Sequence, residues 1–269
     1  MTTKKKQAIK LAIVGAGKMG GAVLTGALKA GILNAGEIGI YHPNSSRREV
    51  LCKAFGVAAL DDEAIHQAES ILIAVKPQFF DDVAPLIAHR SASFISLMAG
   101  VSASTIAKRV GSLRVVRAMP NLGVRLGLSA TALAALPQAT QADLELSEKL
   151  FQAIGTVYHV PEHLFDAFTG LAASGPAFAA IVAEAFADGG VRVGFNRATA
   201  QDLARQVLLA TAKLLEHQGP AELKDEVSSA GGTSIAGVKA LEKHGVRYGL
   251  MEAIEAATLR AKELSQDDY

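Results

Sequence analysis

Cysteine is almost missing from this sequence: Cys52 stands alone among 269 residues. One thiol cannot build an intramolecular disulfide framework or a Cys-based metal cluster. On the helix expected after the second strand, Cys52 reads as a small apolar filler. Net charge is missing too, since 27 Lys and Arg stand against 26 Asp and Glu, a balance of +1. That balance removes the electrostatic reason to expect nucleic acid or an anionic membrane as a partner. No uninterrupted apolar run approaches the roughly 20 residues that span a bilayer. The basic start, Lys4-Lys5-Lys6 ahead of Leu11–Val14, is not a signal peptide, because its apolar run breaks at Gly15 and Gly17 without a cleavage pattern. A cytoplasmic location is expected. The histidines at 42, 66, 89, 159, 163, 217 and 244 show no HExxH pairing, and Pro161 interrupts the helical spacing of His159 and His163. Structural or surface roles are expected for them, and no metal.

Half of the residues are hydrophobic, ample for a packed core. The length suits one large or two modest domains. The first part alternates apolar runs with helical stretches. Strands are predicted at Lys10–Val14, Ile38–Tyr41, Ser70–Val75, Phe94–Leu97, Arg114–Arg117 and Gly155–Tyr158. Met19–Ala30 reads as a helix closed by Gly31, and another reaches about Phe55. Alternating strands and helices imply right-handed crossovers and a parallel sheet covered on both faces. After Pro161 the strand signal stops, and Leu164–Phe186, Arg197–His217 and Val246–Leu264 read as long helices. The prediction is therefore two domains, 1–160 and 161–269, without sizeable repeats, low-complexity tracts or a long linker.

Gly15-Ala16-Gly17-Lys18-Met19-Gly20 fits G-x-G-x-x-G after an apolar strand and at the opening of a helix. Gly15 permits the tight turn, Gly17 admits a pyrophosphate to the backbone amides, and Gly20 lets helix and strand pack closely. The first half is thus predicted to be a Rossmann-type doubly wound parallel sheet, followed by an all-helical C-terminal domain, an α/β protein. Gly15, Gly17, Lys18, Met19 and Gly20 are its candidate dinucleotide-binding residues. At the second strand end, Tyr41 to Arg48 offers no acid to bond ribose hydroxyls or repel a phosphate. Asn44, Ser45 and Arg47 instead suit a 2′-phosphate, with Ser45 or Ser46 as a plain helix cap the alternative. NADPH is the expected cofactor, NADH the second choice.

The later strand ends carry further candidates: Ala74-Val75-Lys76-Pro77, Ala99-Gly100-Val101 and Arg117-Ala118-Met119-Pro120-Asn121. Lys76 reads equally as a cofactor residue or a solvated loop lysine, and Asn121 equally as a site residue or the holder of a turn. Taken in order, these segments and the glycine turn resemble pyrroline-5-carboxylate reductases. In the second half, Leu171–Phe178, Ala187–Gly194 and above all Val227–Gly237 are similar to segments of the same family. The last resembles the family's Ser-Pro-Gly-Gly-Thr-Thr-Ile-Ala-Gly. Three positions depart from the family pattern: Ala173 stands for a Gly, Ala230 for the signature Pro, and Ser234 for the usual Thr.

The resemblance implies reduction of 1-pyrroline-5-carboxylate to L-proline by hydride transfer to the ring C=N bond, the last step of proline biosynthesis. It places Ser234 beside the ring nitrogen as the catalytic hydroxyl, and it implies a homodimer through the helical domain, with a decamer as a larger assembly. The residues themselves suggest a carboxylate site. A Gly-Gly turn flanked by hydroxyls and opening a helix at Ile235 presents the amides of Gly232, Thr233 and Ser234 to an anion, with the Ser229 hydroxyl beside them. The two halves are expected to face each other across one cleft. Alternatives are another NADP-dependent imine or β-hydroxyacid reductase and a non-catalytic NADP-binding regulator. Lys213 and Lys224 lie outside the Gly-x-x-x-Asn-x-x-x-Lys pattern of β-hydroxyacid enzymes, and a regulator has no use for a carboxylate loop.

Overall fold

A computed structural model describes residues 8–89 and 91–266; the basic segment Lys4–Lys6 lies outside them. In chain order the elements are β1 (Leu11–Val14), α1 (Lys18–Lys29), β2 (Ile38–Tyr41), α2 (Ser45–Phe55), β3 (Ala58–Leu60) and β4 (Ser70–Ile73). There follow α3 (Phe80–Ile87), β5 (Ser93–Ser96), α4 (Ala103–Val110), β6 (Val115–Pro120), β7 (Ser129–Ala135), α5 (Gln141–Gln152) and β8 (Gly155–His159). The rest is helical: α6 (Phe165–Phe168), α7 (Gly175–Arg192), α8 (Arg197–Leu214), α9 (Pro220–Glu226), α10 (Thr233–Lys243) and α11 (Val246–Gln266). The chain divides into two compact units: the described residues up to Ala173 together with those from Ala257 onward, and Ser174–Ala256. The last strand ends at His159, whereas the division into units falls after Ala173.

In the first unit the strands lie in the order β3-β2-β1-β4-β5-β6-β7-β8. β1 to β6 pair in parallel, with Leu11 opposite both Ile38 and Ser70. Alternate residues of the apolar strands feed two cores. Ala12, Val14, Ile71 and Ile73 meet Phe80, Val83 and Ile87 of α3 and Ile106 and Val110 of α4 on one face. Leu11, Ile13 and Leu72 meet Val23 and Leu24 of α1, Cys52 of α2 and Leu150 and Phe151 of α5 on the other. This is the doubly wound arrangement, whose chain reversal between β1 and β4 opens a crevice at their carboxyl ends.

Two strands escape the sequence pattern. β3 reads Ala-Ala-Leu and β7 reads Ser-Ala-Thr-Ala-Leu-Ala-Ala, compositions too rich in alanine for a β signal. β7 also corrects the all-parallel expectation: it pairs antiparallel with β6, and β8 runs parallel to β7. A short connection suffices for an antiparallel neighbour, whereas a parallel one needs a crossover. The predicted helix Leu164–Phe186 is likewise broken. α6 gives way to a π turn at Thr169–Ala173 before α7 starts at Gly175-Pro176, because a proline belongs in the first turn of a new helix.

The second unit buries little within one chain. Ala187 is the buried residue of α7, and α10 has none. Ile181 and Val193 are 65% and 76% exposed. An apolar groove of about 750 Å³ runs along Phe178, Ile181, Phe186, Leu241, Val246 and Leu250. The helical run Glu162–Arg192 is long and apolar enough to cross a membrane by length and composition. A search for uninterrupted apolar residues passes over it because Asp166, Glu184 and Asp188 punctuate it.

Candidate active site

The glycine turn after β1 is the first candidate site of the first unit. Gly15 has φ +88°, and a Cβ there would lie 2.8 Å from the Ala74 carbonyl oxygen and 2.9 Å from Val75 Cγ1. A side chain would break both the backbone conformation and the contact with the strand end. At Gly20 a Cβ would meet the Gly15 oxygen at 2.7 Å and Ala74 Cβ at 2.9 Å. Gly17 is the opposite case: nothing lies within 4 Å of the space a Cβ would fill. Gly17 also caps α1 without a side-chain hydrogen bond, so the first-turn amides of Lys18, Met19 and Gly20 have no side-chain partner. Open space in front of unpaired amides at a helix start is what a pyrophosphate requires, and the residues present fit a dinucleotide. The structure thus brings Gly15, Gly20, Ala74 and Val75 into contact. Lys18 is exposed, and Met19 leans on the core.

The neighbouring strand ends are arranged as follows. Lys76 is exposed at the head of a short turn begun by Pro77. Gly100, at φ +75°, lies in the loop from β5 to α4 beside the exposed Ala99. After β2, Asn44 corrects the capping assignment: its Oδ1 accepts the Arg47 backbone N–H at 2.9 Å, so Asn44, not Ser45 or Ser46, is the N-cap of α2. Its carbonyl side is therefore engaged, while Ser45 and Arg47 ride on the first turn. Tyr41 is buried, and its hydroxyl donates to Asp62 Oδ1 at 2.7 Å; burial and then this carboxylate push its pKa up to about 12. Asn121 holds its turn. Its Oδ1 accepts from Gly123 and Ala130, and its Nδ2 donates to the Ala172 carbonyl at 2.9 Å.

Arg117 has a structural role that the sequence did not disclose. It comes off β6 only 5% exposed, and its Nη1 donates to Glu162 Oε1 at 3.1 Å. The guanidinium lies 4.5 Å from the centre of the Phe165 ring, and Nη2 reaches the Met98 carbonyl at 3.5 Å. The same Glu162 oxygen accepts the Ala103 N–H at 2.6 Å, at the start of α4. Both ends of the loop that carries Ala99 and Gly100 are thereby tied to one ion pair. Burial pulls the Arg117 pKa below its ordinary value, with Glu162 opposing, and Nε stays buried without a partner. The one available signal was a single cation inside the apolar run Val115–Met119.

In the second unit the predicted carboxylate residues form one loop. α9 ends at Glu226, Gly231 turns the chain at φ +71°, and α10 opens at Thr233, two residues before the predicted Ile235. Gly232 is the N-cap and offers no side chain. The amides of Thr233, Ser234 and Ile235 consequently face outward without a side-chain cap. Ser229 lies beside the turn, its Oγ 2.4 Å from where a Gly232 Cβ would be, so a side chain at 232 would push the Ser229 hydroxyl aside. The Ser228 Oγ is buried with no hydrogen-bond partner. Ser234 is exposed on the first turn. The two groups of candidates belong to different compact units.

Two family models match. Residues 162–264 match pyrroline-5-carboxylate reductase dimerisation, and residues 10–100 match NADP oxidoreductase coenzyme F420-dependent. The chain is 50% identical over 261 residues to the pyrroline-5-carboxylate reductase of Thermus thermophilus, covering 97% of this chain and all of that protein. Among solved structures it is similar to a pyrroline-5-carboxylate reductase from Coxiella burnetii, with 27% identity, TM-score 0.87, and coverage of 97% and 100%. A Plasmodium falciparum pyrroline carboxylate reductase with NADP bound gives 26% identity, TM-score 0.83, and coverage of 96% and 98%.

Proposed function

Because the chain belongs to the pyrroline-5-carboxylate reductase family, we propose that it reduces 1-pyrroline-5-carboxylate to L-proline, the closing step of proline biosynthesis. It is an oxidoreductase that uses a nicotinamide cofactor. NADPH is the preferred form, supported by the absence of an acid in Tyr41–Arg48 and by the arginines there. When bound, the reduced nicotinamide supplies the hydride; everything else falls to the protein. Gly15, Gly17 and Gly20 shape the turn that takes the pyrophosphate on the amides of α1. Val75, Pro77, Ala99 and Gly100 offer small or apolar surface to the remainder of the cofactor, and Lys76 offers a charge.

The observation that carries the substrate assignment is the uncapped start of α10 behind Gly231 and Gly232, with the unpartnered Ser228 hydroxyl beside it. Three outward amides and a helix dipole suit a single carboxylate. The Ser229 hydroxyl adds a donor. Ser234, on the same turn, is the group we assign to the ring nitrogen, accepting the N–H of the protonated imine. An imine that arrives protonated needs orientation more than acid catalysis. Ser keeps the hydroxyl of the family's usual Thr and gives up its rotamer restriction. We also place the enzyme in the cytoplasm.

Initial rates of NADPH oxidation with five- and six-membered cyclic imino acids test the reading. Ser234→Ala is expected to lower kcat by about 10- to 100-fold, the range for losing one positioned hydrogen-bond partner, while Ser234→Thr retains activity. Turnover of a β-hydroxyacid, or NADP binding without turnover of the imine, would transfer the chain to one of its rivals.

A further inference from the structure

The turn after β2 holds a histidine that the function so far leaves unused. His42 follows Tyr41 directly and is half-buried. Its Nδ1 accepts the Asn44 backbone N–H at 3.0 Å. With Nδ1 accepting, the neutral ring carries its proton on Nε2, the nitrogen left to donate elsewhere. The His42 carbonyl in turn accepts from Arg48 Nη1 at 3.2 Å. Asn44 accepts the Arg47 amide, so one short turn fixes the imidazole, both arginines and the start of α2 relative to one another.

The charges around the ring are of one sign. Arg47 and Arg48 act on His42, and burial, followed by Arg47, keeps its pKa below the ordinary value. The ring is therefore a neutral donor at physiological pH. The nearest acid on the adjoining segment, Asp62, already accepts the Tyr41 hydroxyl. Among the described residues, neither His42 nor Arg47 has a carboxylate partner. Two cations, a neutral N–H donor and the uncapped amides of Ser45 and Ser46 at the start of an 11-residue helix match a phosphate monoester.

We infer that His42 is a specificity-determining residue of this enzyme, donating its Nε2–H to the 2′-phosphate that distinguishes NADP(H) from NAD(H), with the Asn44 amide holding the ring in that tautomer. The inference rests on the cofactor reading above, and it adds a residue that the sequence pattern assigned to the surface. A ribose hydroxyl alone gains little from this cationic turn, so the effect of His42 should be confined to the phosphorylated cofactor.

Calorimetric titration of the full chain with NADP+ and with NAD+ tests it directly. His42→Ala is expected to weaken NADP+ about tenfold while changing NAD+ less than about twofold, one hydrogen bond to a charged group being worth roughly that much. His42→Gln, whose amide offers a donor near the position of Nε2, should restore most of the NADP+ affinity. Arg47→Gln should reproduce the selective loss as a check on the site itself, and His42→Gln keeps the test decisive if His42→Ala folds poorly: a loss of NADP+ affinity in His42→Gln as large as in Arg47→Gln would overturn the inference. Equal losses for both cofactors, or no loss for NADP+, would overturn the inference. Turnover of the cyclic imine by the unaltered enzyme separates the two readings. Turnover without His42-dependent discrimination removes this residue alone, and discrimination without turnover removes the function alone.

Discussion

Gly17 and Gly20 share one turn but answer to different neighbours. Gly20 is glycine because the fold has no room: its Cβ would sit 2.7 Å from the Gly15 oxygen. Gly17 faces open space and has φ −78°, which any residue can adopt. We assign its constraint to the ligand. Gly20→Ala is therefore expected to destabilise the fold by about 1–3 kcal/mol, the cost of overpacking, seen as a lower denaturation midpoint. Gly17→Ala should leave stability within about 0.5 kcal/mol and weaken NADP+ at least about tenfold in titration. If both variants lose stability equally, the open cradle at Gly17 is not a ligand site. The motif itself was legible in the sequence, as were the steric roles of Gly15 and Gly20. The caps were not: Asn44 in place of Ser45 or Ser46, and a helix that opens at Thr233 instead of Ile235, depend on where each helix begins. One residue of offset there changes which group is free.

At the scale of elements, the sheet is held to α5 by a charge pair. Arg114, at the entry to β6, donates through Nε and Nη2 to Asp143 at 3.0 and 2.6 Å. Asp143 also accepts the Thr140 N–H in a capping box. Burial pushes the Asp143 carboxyl up, but Arg114 and Thr140 more than offset it, and its pKa lies below the ordinary value. A carboxyl whose folded pKa is depressed stabilises the fold above its unfolded pKa, near 4, and loses that contribution as pH falls through the folded value. Asp143→Asn should thus cost about 1–3 kcal/mol at pH 7, discounted because Arg114 is partly exposed. It should also flatten the loss of stability below about pH 4. Urea midpoints across pH measure both; a variant whose acid limb matches the parent would show that the pair is not linked to folding. The strands flanking this pair show how far periodicity reaches. β1, β4 and β6 are short apolar runs and are readable, whereas the alanine-rich β7 becomes a strand only because β6 and β8 lie on either side to pair with it.

For the whole molecule, the exposed apolar face of the second unit calls for a covering. Phe186 is 50% exposed in a single chain, and the matched dimerisation family spans this region. Contiguous apolar surface of this kind is characteristic of a face that another chain covers. We propose a homodimer through these helices as the assembly. Ile181→Glu combined with Phe186→Asp replaces two residues that the single chain leaves exposed. It should shift the light-scattering mass from twice the chain mass or more to that of one chain. A parent protein that is monomeric at micromolar concentration would refute the assembly.

The sequence alone determined the order of β1, β2, β4, β5 and β6, the glycine turn after β1, the change to helices after Pro161 and the Gly-Gly loop before α10, because each is written in neighbouring residues. Local spacing sets turns and periodicity, and those survive without knowledge of the rest of the chain. Only the tertiary structure decided the reversal at β7, the Arg117–Glu162 tie, the tautomer of His42 and the uncovered helical face. These depend on residues far apart in sequence, on the burial of a charge, or on surface that one chain cannot hide from water.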